Sequence, residues 1–256
     1  MHLILFWNQR TAKLRNSVAG PKDYHQKNRG RIQITDVCGV NYLAHLVLSG
    51  PDDDLLLGNF IGDAVKGRPE VQFDDGVSAG IRFHRWIDHY ADQHPIAQQM
   101  RALLRPALGR FSGVGVDLIY DHFLAKHFDE LIHLEGGLAG FAADALARLS
   151  QRTDEMPLRS HRFFEAMKQH DWLNGYAHRS QMLQVCRAMD QRLELRLGVK
   201  PPLHRLFEIV DEQDENQCAT AFIAFWNEIV RDAAEFRKNV IQANAEFKSM
   251  ELTSFA

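Results

Sequence analysis

The sequence is short of the residues that mark secreted, membrane-spanning or metal–thiolate proteins. Its three cysteines stand apart from one another, without a CxxC motif, which argues against a disulfide framework and a zinc–thiolate site. No apolar run approaches the roughly 20 residues of a membrane-spanning helix, and the opening MHLILFW is too short for the apolar core of a secretory signal. The net charge of -3 favours no strongly charged partner. We therefore expect a cytoplasmic protein that binds neither nucleic acid nor membrane.

Signals for β-structure are also lacking. The chain has no apolar–polar alternation of useful length, no Asn-Gly hairpin and no internal repeat. From Val40 onward, apolar residues recur with a helical period, which predicts one all-α domain over 40–256. Asp75 is the predicted N-cap of the third helix, and Pro106 should end or kink the fourth. The predicted helices cover 41–49, 52–67, 74–93, 96–111, 114–134, 137–151, 159–172, 177–196 and 214–249.

Residues 1–39 differ from the rest of the chain. They are polar and without a helical or strand period, and residues 1–40 carry seven Lys and Arg against two Asp. We predict a poorly structured extension. Three interpretations stay open: a disordered basic arm, a targeting segment, or sequence upstream of the true start of translation.

Acids and histidines occupy the centres of apolar helix faces. On a helical wheel Asp88 lies about 40° from His84 in the middle of an apolar stripe. Asp121 lies in a similar stripe, with a second acid about 40° away. Asp63 and His45 share their faces with leucine and aromatic residues. Four helices therefore turn ionisable groups toward the core.

Such inward-facing groups need a common partner, because an unpaired buried carboxylate loses hydration worth several kcal/mol. Carboxylate oxygens and imidazole nitrogens together suit a divalent metal such as manganese, iron or magnesium. A bound metal would lower the pKa of a water molecule and make it a nucleophile at neutral pH. The alternative is a set of separate His–Asp and Asp–Arg hydrogen bonds inside a plain helical bundle.

Four stretches, NYLAHL, GNFIGDAVKG, GIRFHRWIDHYADQHP and YDHFLAKHF, occur in this order between Asn41 and Phe128. Their combination resembles the acyl carrier protein phosphodiesterases, distant relatives of the HD-type metal phosphohydrolases. The resemblance implies an all-α fold with an HD-like internal metal site and a preference for manganese. It also implies removal of 4'-phosphopantetheine from holo acyl carrier protein, a step of lipid metabolism linked to fatty acid biosynthesis. The family usually starts where Val40 stands, and an internal GTG start codon reads as valine, which favours the upstream-sequence interpretation.

The family pattern also implies roles for individual residues. His122 or His127 would protonate the departing serine oxygen, and arginines near the site would steer the acidic carrier protein. Two alternatives stay open: a metal phosphohydrolase acting on a nucleotide or another small phosphate ester, and a non-catalytic helical binding module. The expected metal ligands are His45, Asp63, His84, Asp88 and Asp121; the expected catalytic residues are Asp63, His122 and His127; the expected substrate contacts are Arg82, Arg85 and Asp92.

Removing residues 1–39 should leave turnover unchanged, because the segment contains none of the inward-facing acids or histidines. A chain that begins with Met in place of Val40 should match the full-length protein in kcat. Its affinity for an acidic carrier protein should fall modestly and in a salt-dependent manner, because five net positive charges are lost. An insoluble or inactive shortened chain would contradict both the boundary and the interpretation.

Overall fold

The computed structural model describes residues 41–254, and within this range all regular structure is helical, which confirms the all-α prediction. No strand occurs between these limits. The α-helices are α1 Tyr42–Ser49, α2 Asp53–Ile61, α3 Asp75–Gln93, α4 Pro95–Leu108, α5 Ser112–Lys126, α6 Phe128–Leu131, α7 Gly137–Ser150, α8 Leu158–Gln169, α9 Trp172–Gly175, α10 Arg179–Leu197, α11 Leu206–Glu212 and α12 Glu215–Ser254. Short 3-10 turns lie at Gly62–Ala64, Pro69–Val71, Gly109–Phe111, Thr153–Glu155 and Leu203–Arg205. The predicted extension at 1–39 lies outside the described residues.

Several helix ends differ from the prediction for local reasons. The N-cap of α3 is Asp74, whose carboxylate accepts a hydrogen bond from the Val77 amide at 3.1 Å. Helix α4 passes through Pro106 and ends at Leu108, where Gly109 turns to a positive φ of 55°. The helix predicted over 52–67 ends at Ile61, because the next three residues tighten into a 3-10 turn.

The contact between α2 and α3 is the most extensive helix–helix contact in the described chain. Two glycines allow it: a Cβ atom on Gly58 would lie 2.7 Å from the Cα of Gly80, and a Cβ on Gly80 would lie 2.8 Å from the Cα of Gly58. Real side chains do not approach a backbone so closely. The backbones of the two helices therefore touch, and polar residues that follow Gly58 and Gly80 are brought face to face.

The long helix α12 closes the domain over α1, α3, α4 and α5. Its Phe222 and Trp226 are buried, as are Phe60 on α2, Phe83 on α3 and Phe123 on α5. Burial of large aromatic side chains contributes much of the folding free energy of such a domain. No helix in the described part of the chain is both long enough and apolar enough to cross a lipid bilayer.

Asp121 fixes the start of α1 from a neighbouring helix. The N-cap residue Asn41 makes no side-chain capping bond. Instead, the two carboxylate oxygens of Asp121 on α5 accept hydrogen bonds from the amides of Leu43 and Ala44, each at 3.1 Å. Burial raises the pKa of Asp121 to about 7, although the two amide donors favour its ionised form. Helix α1 is thereby anchored to α5 at a defined depth.

Substituting Gly58 with alanine should destabilise the fold, because the added methyl group would overlap the α3 backbone. We expect the free energy of unfolding to fall by roughly 1–3 kcal/mol, as for other overpacked cores, measured by urea denaturation. Gly113→Ala is the matched control, since its Cβ would meet only Arg101 at 3.7 Å or beyond. Equal stabilities of the two variants would contradict the assigned role of Gly58.

Candidate metal centre

Two histidines and an aspartate converge between α1 and α3. His45 Nε2 lies 3.2 Å from one carboxylate oxygen of Asp88, and His84 Nε2 lies 3.3 Å from the other. The two imidazole rings stack with their centroids 4.2 Å apart. One donor atom from each of the three residues lies within 4.8 Å of the others, a spacing that could hold a metal ion. The i, i+4 spacing of His84 and Asp88 on α3 places both side chains on one face.

Asn59 orients both imidazole rings. Its side-chain oxygen lies 2.7 Å from His45 Nδ1, and its main-chain carbonyl lies 2.9 Å from His84 Nδ1. The amide nitrogen of Asn59 donates to the His45 carbonyl and to Ser49 Oγ, which fixes the amide orientation. Both Nδ1 atoms therefore face oxygen acceptors and carry a proton, so Nε2 of each ring is directed toward Asp88 and presents a lone pair there whenever the ring is neutral.

The two Nε2 atoms are suited to a cation. Both are buried, and within the described chain neither makes a hydrogen bond with acceptable geometry, although Asp88 lies at ion-pair distance. A buried nitrogen without a partner is costly. Two imidazoles held by their other nitrogens and facing a carboxylate form a donor set that divalent transition metals accept. These residues therefore fit a divalent metal ion.

Charge at the centre favours a positive partner. Burial opposes protonation of His84, but the carboxylates of Asp63 and Asp88 outweigh it and raise the pKa of His84 to about 10. Burial likewise opposes ionisation of Asp88, yet His45 and His84 lower its pKa well below the usual range. In the metal-free protein, the raised pKa of His84 stabilises the fold below pH 6.5, and this contribution is lost as the pH rises toward 10. A metal ion and the proton on His84 therefore compete.

Asp63 lies beside this cluster on the 3-10 turn that follows α2. Its carboxylate is 3.4 Å from His84 Nε2. Gly62 makes room for that arrangement, because a Cβ atom at this position would overlap the His84 ring. The sequence GNFIGD therefore supplies Asn59 to orient the histidines, a glycine to admit the ring and an acid to face it.

The centre opens into a cavity of about 260 Å³ between α1, α3, α4, α5 and α12. His84, Asp88 and Asp63 line one part of it, and Arg101 and Arg110 line another. Apolar and aromatic side chains form the rest of the wall: Leu48, Ile87, Ala91, Ala97, Val114, Val116, Tyr120, Phe222, Phe225, Trp226 and Ile229. The cavity thus joins a charged region to an apolar one.

Asp117 is a further acid in the cavity wall. Burial raises its pKa well above the usual range, and the negative charges of Asp88 and Asp92 raise it further, against the opposing charge of Arg101. The carboxyl group of Asp117 therefore keeps its proton at a higher pH than an ordinary aspartate. Such a group can donate a proton to a leaving group.

Three residues expected at the site lie elsewhere. Asp121 caps α1 with both carboxylate oxygens and does not line the cavity. His122 is buried with its Nδ1 2.7 Å from the Tyr176 carbonyl, and burial lowers its pKa. His127 pairs with Glu130 at 3.1 Å and lines a separate surface pocket. The helical wheel identified inward-facing residues on α5, but inward faces of one helix can meet different neighbours.

Of the three expected substrate contacts, one lines the cavity and two do not. Asp92 lines the cavity and pairs with Arg101. Arg82 pairs with Glu70, and Arg85 donates to the Val65 carbonyl at 3.0 Å. Neither Arg82 nor Arg85 lines the cavity, so they lie on the surface near the Asp63 turn.

Sequence reasoning did not select four residues that the structure places at the site. Asn59 shares the apolar face of Asp63, and an amide on such a face carries no obvious chemistry. Asp117 is the second acid about 40° from Asp121, and helical periodicity alone assigns it no role. Tyr120 and Trp226 come from helices distant in sequence, and only packing of α12 over α5 brings them to one cavity.

Comparison with known proteins identifies the family of the chain. The family model described as acyl carrier protein phosphodiesterase matches residues 40–229. A Photorhabdus laumondii protein of that name is 33% identical over 153 residues, covering 60% of this chain and 77% of the relative. Proteins of the same name from Yersinia pestis and Serratia proteamaculans are 27% and 29% identical over 194 and 198 residues, covering 76% and 77% of this chain and 97% and 98% of the relatives. No solved structure matches the chain significantly. The chain belongs to the acyl carrier protein phosphodiesterase family.

Proposed function

We propose that this protein hydrolyses the phosphodiester that links 4'-phosphopantetheine to a serine of holo acyl carrier protein, and that it does so with a divalent metal. The family of the chain supports the reaction. The observation that carries the proposal is the pair of buried histidine Nε2 atoms, both without a hydrogen bond, that face Asp88 in the cavity wall. A bundle built only for binding has no need of this arrangement.

The metal would be held by His45, His84 and Asp88, with Asp63 beside them. When bound, a divalent metal supplies a Lewis acid for the phosphoryl oxygen and lowers the pKa of a nucleophilic water. Asn59 keeps both imidazoles in the tautomer and orientation that ligation requires. Asp63 lines the cavity, where it is placed to accept a proton from a water molecule that enters beside it.

Asp117 is the group that we assign to proton donation. Departure of the serine oxygen needs a proton, and a carboxylic acid whose pKa is raised by burial can supply one. Asp117 lines the cavity that contains the histidine cluster, whereas His122 and His127 do not. This assignment replaces the roles that the family resemblance implied for those two histidines.

Arginines complete the site. Arg101 and Arg110 line the cavity, where they can meet the negative phosphodiester. Arg82 and Arg85 lie on the neighbouring surface around the Asp63 turn. An acidic carrier protein that approaches this surface would be steered toward the cavity and bind faster at low salt.

Manganese should raise the melting temperature of the metal-free protein, and a chelator should reverse the rise, because a ligand that binds only the folded state stabilises it. At a free concentration of 100 times Kd the gain is about 2.7 kcal/mol. Asp88→Asn should remove most of this gain. The measurement is thermal unfolding with and without manganese.

Asp92→Asn is the matched control, because Asp92 lines the same cavity but lies outside the histidine cluster. It should keep the manganese-dependent rise.

The apparent affinity of the unmodified protein for manganese should fall about tenfold for each pH unit below 10, since binding displaces the proton of His84. A manganese effect that is independent of pH, or equal in the two variants, would contradict the assigned ligands.

In the presence of manganese the protein should convert holo acyl carrier protein to the apo form, seen as the loss of the phosphopantetheine mass. Asp63→Ala should abolish turnover. Asp117→Asn, which cannot donate an acidic proton, should lower kcat by roughly 10²- to 10⁴-fold and leave the manganese-dependent rise in melting temperature intact.

His127→Asn is the competing variant and should keep kcat near that of the unmodified protein. Loss of turnover in His127→Asn but not in Asp117→Asn would reverse the assignment of the proton donor. Turnover of nucleotides or simple phosphate esters, with no change in the carrier protein, would favour a phosphohydrolase for small substrates. Absence of both metal binding and turnover would favour a binding module.

A further inference from the structure

Two polar groups in the cavity have no partner. The hydroxyl of Tyr120 and the indole Nε1 of Trp226 are buried, and neither makes a hydrogen bond within the described part of the chain. Both residues line the same cavity as His84 and Asp88, with 6% and 2% of their surfaces exposed. Buried hydroxyl and indole groups are almost always hydrogen-bonded. These two therefore indicate a ligand that supplies their partners.

The surroundings of the two groups define the chemistry of that ligand. An indole N–H can only donate, so the ligand must present an acceptor to Trp226, while the Tyr120 hydroxyl can donate or accept. Phe222, Phe225 and Ile229 form the adjacent wall, which would not hold a charged group without a large desolvation cost. The fitting ligand is neutral, with apolar segments and amide-like hydrogen-bonding groups along it.

The position of Tyr120 limits the distance between the hydrogen-bonding groups of this ligand and the reacting phosphate. Tyr120 is three residues beyond Asp117 on α5, which is close to one helical turn of about 5 Å. A cavity of about 260 Å³ is slightly below the roughly 300 Å³ at the lower end of small-molecule sites, so it suits a slender chain. In a pantetheine arm the first amide carbonyl is only the fourth carbon after the ester oxygen, and a second amide follows.

We infer that the aromatic part of the cavity binds the pantetheine arm of the substrate, with Tyr120 Oη and Trp226 Nε1 hydrogen-bonded to its amide groups. The gem-dimethyl and methylene segments of the arm would contact Phe222, Phe225 and Ile229. Tyr120 and Trp226 are specificity-determining residues and take no part in bond breaking. The inference rests on the proposed function, because it places the phosphodiester at the histidine cluster.

The test compares Tyr120→Phe and Trp226→Phe with the unmodified protein. Free pantetheine, which lacks the phosphate, is titrated calorimetrically, and holo acyl carrier protein is used for kinetics. Each variant should raise the Kd of pantetheine and the KM of the carrier protein about 3- to 10-fold, the effect of one hydrogen bond, with kcat unchanged.

Matched substitutions outside the cavity serve as controls. Tyr90→Phe removes a hydroxyl that bonds Asp232, and Trp172→Phe alters an indole that packs on Phe163. Neither should affect pantetheine binding. In the ligand-free protein Tyr120→Phe should leave the melting temperature equal or higher, since it deletes a buried group without a partner. A lower melting temperature would indicate a structural role and overturn the inference for Tyr120.

The outcomes separate this inference from the proposed function. Unchanged pantetheine affinity in both cavity variants, while the unmodified protein still converts holo carrier protein, would overturn the inference alone. If the unmodified protein does not convert holo carrier protein, the proposed function is wrong. The arm-binding inference then stands only if pantetheine binds and the two cavity variants weaken it; absence of binding overturns it as well.

Discussion

Backbone contact between α2 and α3 is the constraint on which the rest of the site depends. Without Gly58 and Gly80 the helices would stand apart by the thickness of a side chain. Asn59 could then not reach the imidazole of His84 with its carbonyl, nor could Asp63 face that ring at 3.4 Å. The chemistry of the centre is therefore set by two residues that have no side chain. The polar groups perform the chemistry, and the lack of Cβ atoms on Gly58 and Gly80 lets α2 and α3 approach closely enough for these groups to meet.

The sequence allowed the helical class and part of the centre to be predicted. A period of 3.6 residues identifies which side of a helix is buried, and it directed attention to His45, Asp63, His84 and Asp88, which the structure brings together. The same periodicity does not identify the neighbour that a buried side meets. Asp121 therefore fits the sequence pattern expected of a metal ligand, although its carboxylate accepts hydrogen bonds from backbone amides of α1. Capping across helices leaves no pattern in the sequence of either helix.

Acidic residues outnumber arginines in the polar part of the cavity. Asp63, Asp88, Asp92 and Asp117 line it, together with Arg101 and Arg110. A phosphodiester entering this space without a cation would meet carboxylates at close range, which is unfavourable in a site of low dielectric. The acids hold a proton on His84 when no metal is bound. A proton and a metal ion would thus compete for the same cluster, and a phosphodiester would enter it more favourably once a cation offsets the charge of the carboxylates.

Asn59 holds the two histidines by different parts of its structure, and this has a consequence for the evolution of the site. His84 is held by the main-chain carbonyl, which every amino acid provides at position 59. His45 is held by the side-chain amide, whose oxygen faces the ring while its nitrogen binds the His45 carbonyl and Ser49. Genetic drift at position 59 would leave the orientation of one imidazole untouched and release the other. The two halves of the centre therefore differ in mutational robustness, and the histidine on the short helix α1 is the vulnerable one.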